Sequence, residues 1–564
     1  MQSRPTISPP IVLFAVMVLF HSSWVTAEPK QSIYELSLEQ LLNIKVSAPS
    51  KSPQSINNTP GIVTTFTEQE ILLFGGRDLG EVLGRIPGFE EFGTLINGRN
   101  IVTIRADQPT GNNNHVLFLL NGIPFNRESY TGGIWNEAVL LSIPLTSIKQ
   151  LEVIRGPGSV LYGTNAFSGV VNIITKSSAQ ITSNISIAKG AFGTQRVNLS
   201  LAGSQNDWHW TSTLRLYNTD GWSYKTNNIA GELFSEKVYS KSPGLVLTLS
   251  KDNFTANVFW GRADQFTIRG NSNLQEAAST DNEKYFIDLG YEMKVWDDWT
   301  LSTHLSHVRG RTEHKVSGQT AGNLTTINYE TDDSRLEFTF KKQLSERSNL
   351  LFGTTLDYFS GRTPPPVVVV PDWSNYLYGL YGQYEIQYSQ TKYILGAQYN
   401  KAQNSYDSLV PRLGLIHHID DNHGIKLFYG KAFRAPFVVE REIDVAIANL
   451  SIKGDKNIKP EYVSTWDLQY FYSSKKSSAS ATIFRNEQDD LIVRAPVSEG
   501  VLQFVNQGKL TIEGLELEGK YIRNKWYLNG SYTWQRNEDG DHFKNSTLQP
   551  HSIIKVGLGY TGDN

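Results

Sequence analysis

Cysteine is absent from this 564-residue chain, which removes disulfides, thiolate metal sites and thiol nucleophiles together. Net charge is nearly absent too: 52 Lys and Arg stand against 55 Asp and Glu, for a formal charge of -3. Phosphate backbones are gripped by concentrated basic surface, so nucleic acid is not an expected partner. No HExxH, no G-x-S-x-G elbow and no phosphate loop occurs. Ser159 follows a glycine but lacks the elbow's second one, and His417-His418 point to opposite faces if they lie on a strand. No catalytic residue, cofactor or resident metal site is expected. Long apolar runs are missing as well, with one exception near the start. Arg4, the run Ile11 to Phe20 and then Val25-Thr26-Ala27 read as a secretory signal peptide over 1–27, with Glu28 as the mature start. The alternative, a membrane anchor, needs about 20 apolar residues. Without a spanning helix, a life in the membrane requires a barrel of paired strands, because lipid satisfies no bare peptide group. Otherwise the chain is a secreted soluble protein.

What is present divides into two grammars. Residues 44–176 read as a compact α/β domain with buried strands at 61–66, 116–120 and 170–174. Thr67 and Glu70 have capping-box spacing, and Asp78 is placed to cap a helix over Leu79 to Arg85, ended by Pro87-Gly88. Beyond about residue 180, segments alternate with period two. Tyr376, Tyr378, Leu380, Tyr384, Ile386 and Tyr388 share one face, opposite Asn375, Gly379, Gln383, Glu385 and Gln387; Leu377 and Tyr381 break the pattern. Tyr285, Ile287, Leu289, Tyr291, Met293 and Val295 oppose Asp288, Glu292 and Lys294, and Trp526, Leu528, Tyr532 and Trp534 oppose Lys525, Asn529, Thr533 and Gln535. Tight turns such as Asp297-Asp298 and Ser389-Gln390 alternate with long polar connections near 219–242, 264–282, 310–326, 361–373, 432–462, 487–509 and 537–549. Short on one rim and long on the other is the pattern of an outer-membrane barrel. A soluble sandwich or propeller alternates too, but lacks that rim asymmetry. The tally is about 18 strands by Tyr560.

The segment Leu151-Glu152-Val153-Ile154-Arg155-Gly156-Pro157-Gly158-Ser159-Val160-Leu161-Tyr162-Gly163, followed by Asn165 to Thr175, resembles the closing part of the plug domain of TonB-dependent outer-membrane receptors. Leu120-Asn121-Gly122-Ile123-Pro124 and Leu83-Gly84-Arg85-Ile86-Pro87-Gly88 are similar to two further plug motifs. Phe428 to Pro436, then Asn457-Ile458-Lys459-Pro460-Glu461, and Ile512 to Glu518 are similar to recurring barrel segments. The resemblance runs in order from about residue 44 to the end. It implies a transmembrane antiparallel β-barrel of the 22-strand type, filled by an N-terminal α/β plug and sited in the bacterial outer membrane. Against that number roughly four strands are lacking, so the barrel over 177–564 is expected to be incomplete at the C-terminus.

The resemblance further implies a monomeric active importer, energised by TonB with ExbB–ExbD. The candidate pulling segment is Asn43, Ile44, Lys45, Val46, Ser47 and Ala48, whose alternation suits strand addition to a sheet edge; the other reading is an ordinary first plug strand. The extension 28–43 is too short for a signalling domain, since domains run to at least about 50 residues. Arg105 and Arg155 stand where the family holds plug arginines facing barrel glutamates, with Glu461 and Glu516 or Glu518 as partners, forming either a latch or a static network. Ligand contact is expected at Asn97, Arg99, Asn112, Asn113, His115, Arg127, Tyr130 and Trp135 of the plug. In the barrel loops the candidates are Trp222, Tyr224, Phe266, Arg269, Trp373 and Arg441. Arginine beside aromatics suits an anionic or aromatic iron chelate such as an iron–siderophore complex. Cobalamin, haem, copper or an oligosaccharide stay open as substrates, and a passive porin is the more distant alternative.

Overall fold

The computed structural model describes residues 44–560 except 93–100, 108–114, 133–135, 228–232, 267–278, 297, 318–323, 366–369, 404, 448–449, 542–543, 545–546 and 548. In the strand Trp373–Tyr388, Tyr376, Tyr378, Leu380 and Tyr388 are exposed, while Asn375, Gln383 and Glu385 are buried. The strands Ser279–Val295 and Trp526–Asp539 repeat this, with Ile287, Leu289 and Tyr291 or Trp526, Leu528 and Trp534 outside and Lys284, Asp288, Thr533 or Gln535 inside. A water-soluble fold has the opposite polarity; polar residues inside and apolar residues outside are what a hydrocarbon surround selects. Leu377 and Tyr381 are the apolar exceptions on this inward face, Leu377 beside Phe359 and Ala402 and Tyr381 under the Lys51 ammonium of the plug. Leu377 is 2% exposed, and the Tyr381 hydroxyl donates to Glu337 at 2.7 Å.

These strands form one sheet of 21, neighbours following chain order. Three of them, Ser240–Lys241, Asp444–Ile447 and Leu450–Lys453, are short pieces within connections, which leaves 18 wall strands among the described residues, equal to the sequence tally. On one rim the strands join through turns such as 252–253, 346–347 and 389–390, and on the other through long connections such as 363–372 and 435–460. Two expected loops are largely hairpin instead. Around 310–326 the strands run on to Ser317 and from Leu324, and around 487–509 they extend as Ser477–Ser498 and Val501–Arg523. Cross-strand pairing satisfies peptide groups above the bilayer as well as within it. Among the described residues the first wall strand, Asn184–Lys189, and the last, Ser552–Tyr560, do not pair with each other.

Inside lies a five-stranded mixed sheet in the order Ile62–Thr67, Ile148–Arg155, Gly169–Thr175, Val116–Leu120, Ile123–Pro124. Its strands are apolar runs because both faces are covered. Thr67 caps the helix Glu68–Phe74: its hydroxyl accepts from the Glu70 N–H while the Glu70 carboxylate accepts from the Thr67 N–H at 2.8 Å. Asp78 caps Leu79–Leu83, accepting from the Glu81 N–H at 3.0 Å. That helix stops two residues short of the expected Arg85. The wall surrounds this domain: Asn121 meets Asn257, Glu128 meets Lys284, Arg127 meets Asp357, and Glu90 meets Lys555 of the last strand. The inner domain is therefore a plug.

Gly169 marks how tightly the plug sheet is packed. A Cβ there would run into the Ile104 side chain and lie 2.7 Å from the Ile154 carbonyl oxygen. Gly169→Ala should destabilise the plug by about 1–3 kcal/mol. Calorimetry in detergent should show a lowered plug transition beside an unchanged wall transition; an unaltered plug transition would contradict this packing.

Candidate functional site

The candidate pulling segment is docked rather than free. Lys45 pairs with Ser55 and Val46 with Gln54, while Val46 and Ala48 are buried. The Glu152 carboxylate accepts from the N–H groups of Ser47 at 3.2 Å and Ala48 at 2.9 Å, and Gln150 donates to the Lys45 carbonyl at 3.0 Å. Asn43 lies outside the described residues. In this state Lys45–Val46 forms the first, two-residue strand, and the N–H groups of Ser47 and Ala48 are already engaged.

Two ion clusters join plug to wall. In the first, Arg105 reaches Asp467 at 2.8 Å and Glu516 at 2.9 Å, over the Phe484 ring. Arg155 meets the same Glu516 at 2.8 Å, pairs with Glu518 and donates to Thr64 at 3.0 Å. Both guanidinium groups are buried, and removing one partner of such a pair costs about 3–5 kcal/mol because the other charge stays buried. Glu461, expected to be a partner of these arginines, is not one; Asp467 takes that place. The cause is strand period: 461, 463, 465 and 467 share the inward face of Glu461–Ser473, and Arg105 meets it three steps down.

Glu461 belongs to the second cluster. It accepts from Arg434 at 2.5 Å and from His115 at 3.0 Å, while Arg434 also binds Glu440 at 2.8 Å. The other ring nitrogen of His115 lies 2.8 Å from Asp107, which in turn accepts from Gln488 at 2.9 Å. His115 was expected to face ligand, but it is 1% exposed with both nitrogens engaged and its ring against Phe167. Carboxylates only accept, so both nitrogens must donate and the ring is the imidazolium. Burial alone would lower its pKa; Asp107 and Glu461 outweigh that and raise it from 6.5 to about 9.

Beneath the long connections lies a nearly filled chamber of about 20 Å³. Aromatic walls come from Phe359, Trp373, Tyr406 and Phe437, and polar groups from Asn165, Asn375 and Arg441. Arg441 donates to Ser405 at 2.6 Å and leaves its buried Nε unpaired. Of the expected ligand residues, Trp373 and Arg441 line this chamber. Arg127 lines a neighbouring one of about 10 Å³ and is held by Asp357 at 2.6 Å. Tyr130 is buried, its hydroxyl within 3.0–3.1 Å of Thr363 and of the Val370 and Pro371 carbonyls. Beside it the N–H groups of Val438 and Val439 donate to the Ser129 and Tyr130 carbonyls at 3.3 and 3.2 Å. Tyr130 thus ties the plug tip to two long connections rather than facing the chamber.

Phe266 is buried at a strand end, and Trp222 is exposed within the 220–239 connection; neither lines the chamber. The backbone of Tyr224 lies in a separate hairpin strand, Ser223–Asn227. Asn97, Arg99, Asn112, Asn113, Trp135 and Arg269 lie outside the described residues. Phe437 and Tyr406 carried a signal, being aromatics flanking the Phe428–Pro436 motif and a connection, but nothing in their spacing brought them together.

The His115 cluster makes plug retention sensitive to alkali. A folded-state pKa raised to about 9 gives stabilisation that is complete below about 6.5 and lost as pH rises through 9. On the order of 3 kcal/mol is involved. Plug melting measured between pH 6 and 10 should fall over that window in the wild type and lose the slope in His115→Gln; parallel profiles would refute the assignment.

Comparison with known proteins adds to this geometry. A family model described as TonB dependent receptor-like, beta-barrel, matches residues 233–564, and one for the TonB-dependent receptor plug domain matches residues 55–170. The vitamin B12 transporter BtuB of Vibrio vulnificus is 24% identical over 486 residues, covering 82% of this chain and 73% of the relative. The ferric enterobactin receptor PfeA of Pseudomonas aeruginosa superposes with TM-score 0.69 at 18% identity, covering 87% of this chain and 81% of that one. For the FrpB iron transporter of Neisseria meningitidis the values are 0.71 and 13%, with 89% and 84% covered. At such identities the superpositions speak for fold alone, whereas the family models span the wall and the plug. The chain belongs to the TonB-dependent receptor family, outer-membrane β-barrels that hold an N-terminal plug.

Proposed function

We propose that this receptor binds an iron–siderophore complex under its long connections, where the chamber widens to admit it, and imports it to the periplasm, with TonB and its ExbB–ExbD motor pulling on residues 43–48. The observation that carries the substrate reading is the chamber lining, four aromatic rings around Arg441 with an unpaired buried nitrogen. A guanidinium among aromatic faces suits an anionic, aromatic chelate. The solved siderophore and ferric enterobactin receptors of like fold support it. A second reading, cobalamin, is favoured by the relatives named vitamin B12 transporters.

The pull requires the segment to leave Glu152 and offer its edge to TonB, by strand addition. A deletion strain carrying this receptor should grow on a ferric catecholate as sole iron source and fail when TonB is absent. Val46→Pro, which removes one edge N–H, should leave chelate binding within about twofold and cut energised uptake at least about tenfold. Growth on cyanocobalamin alone would replace the siderophore reading with the second; TonB-independent growth would end both.

The Arg105–Arg155 cluster is proposed as the latch that yields under that pull. A double-mutant cycle of Arg105→Ala and Glu516→Ala, scored by uptake, should show coupling beyond about 0.5 kcal/mol. Additive effects would leave only a static network.

A further inference from the structure

Between the docked segment and the plug strand Ile62–Thr67, residues 49–61 run as a strap along three wall strands, Thr391–Ala402, Asp407–His418 and His423–Arg434. The strap contains Pro49, Pro53 and Pro60, so it is poor in backbone donors and rich in free carbonyls. The wall answers with cations. Lys426 donates to the carbonyls of Ile56 at 2.7 Å, Thr59 at 3.4 Å and Gly61 at 3.3 Å. Arg412 donates to those of Pro49 at 3.2 Å and Pro60, and Lys392 to the Gln54 side chain at 2.9 Å and the Asn58 carbonyl at 3.1 Å.

Register sets these cations in an ordered patch. Lys392 lies opposite Ile416 and Ile416 opposite Lys426, so two ammonium groups flank one isoleucine near the short-turn rim. Four residues further up, Arg412 lies opposite Gly396 and Gly430, so no neighbouring side chain shares its row. Lys392 has one carboxylate, Glu385 at 2.6 Å. Among the described residues Arg412 and Lys426 have none within ion-pair distance, though both are buried. Among the described residues their hydrogen bonds all go to strap carbonyls, with the Phe471 ring also beside Lys426. A buried cation left without such partners carries a large desolvation cost, which an anion relieves best.

We propose that Lys392, Arg412 and Lys426 form a transit site for an anionic ligand, covered at rest by the strap and uncovered when the segment ahead of it is pulled. The strap is next in line for the force, because it follows residues 44–48 directly. In this way carbonyl oxygens hold the place that the oxygens of an anionic chelate take during passage. The inference rests on the energy-coupling reading above, and it excludes a wall indifferent to ligand charge.

The native chain has no cysteine, so a single one can report on the patch. Ile416→Cys stands between the two lysines and is buried at rest. Whole cells are treated with an anionic sulfonatoethyl and a cationic trimethylammonioethyl methanethiosulfonate, with and without a protonophore, each rate being scaled to that with a free thiol. Energised cells should label faster than de-energised ones, and the anionic reagent should lead by about tenfold. In K392Q/R412Q/K426Q the lead should vanish, while the charge-keeping pair K392R/K426R should retain it. Energy-dependent labelling without an anionic lead, or a lead that survives the triple change, overturns the transit site and leaves the energy-coupling reading standing. Labelling that ignores energisation removes both.

Discussion

Lipid offers a spanning backbone no hydrogen-bond partner but itself, and the rest of the molecule follows from that constraint. Peptide groups must pair strand to strand, so the wall is a sheet, and period two then gives every strand one face for hydrocarbon and one for the interior. Tyr378 and Leu380 take the first in their strand, Gln383 and Glu385 the second. A wall so built presents charge to whatever it encloses. The plug meets much of it with charge of its own, Arg105, Arg155 and His115 facing Asp467, Glu516 and Glu461, beside apolar contacts such as Phe125 on Phe259 and Phe286.

An ionic interface also sets how plug and wall come apart. Apolar packing has no substitute partner once opened, whereas water solvates separated ions and carbonyls and so offsets much of the cost of parting them. The same domain keeps an apolar core on its own sheet, where Phe118, Leu120, Val153 and Val171 are buried together, and that cluster runs on into Val246, Phe259 and Phe286 of the wall. Cohesion within the plug thus rests on apolar packing, while its seam with the wall mixes ion pairs with apolar patches.

Much of this was legible along the chain wherever the signal was local or periodic. The Thr67–Glu70 box, the Asp78 cap and the alternation around Tyr376 each involve residues a few positions apart, and the strand tally needs nothing longer. Residues whose role depends on pairing across hundreds of positions were harder. Motif position brought Glu461 and Arg105 into one set, yet strand tilt and plug height decide that Asp467 faces the arginine and that His115 faces Glu461. Arg412 and Lys426 carried no motif at all; only the register that places glycines beside one and an isoleucine beside the other shows them as a patch. The hairpin extensions near Ser317 and Ser498 read as polar loop because solvated strands lose the oily face that marks a strand within lipid.

The Tyr130 tip, fastened to the connections above it by side chain and backbone alike, makes the mouth and the stopper of this vessel one mechanical body. Thermodynamic reciprocity applies to such a joint: whatever favours one posture of the mouth favours the matching posture of the stopper by an equal free energy, in either direction. A cargo that draws the outer segments inward thereby biases the periplasmic side with no separate messenger, and a tug from the periplasm is felt by the cargo before any opening exists.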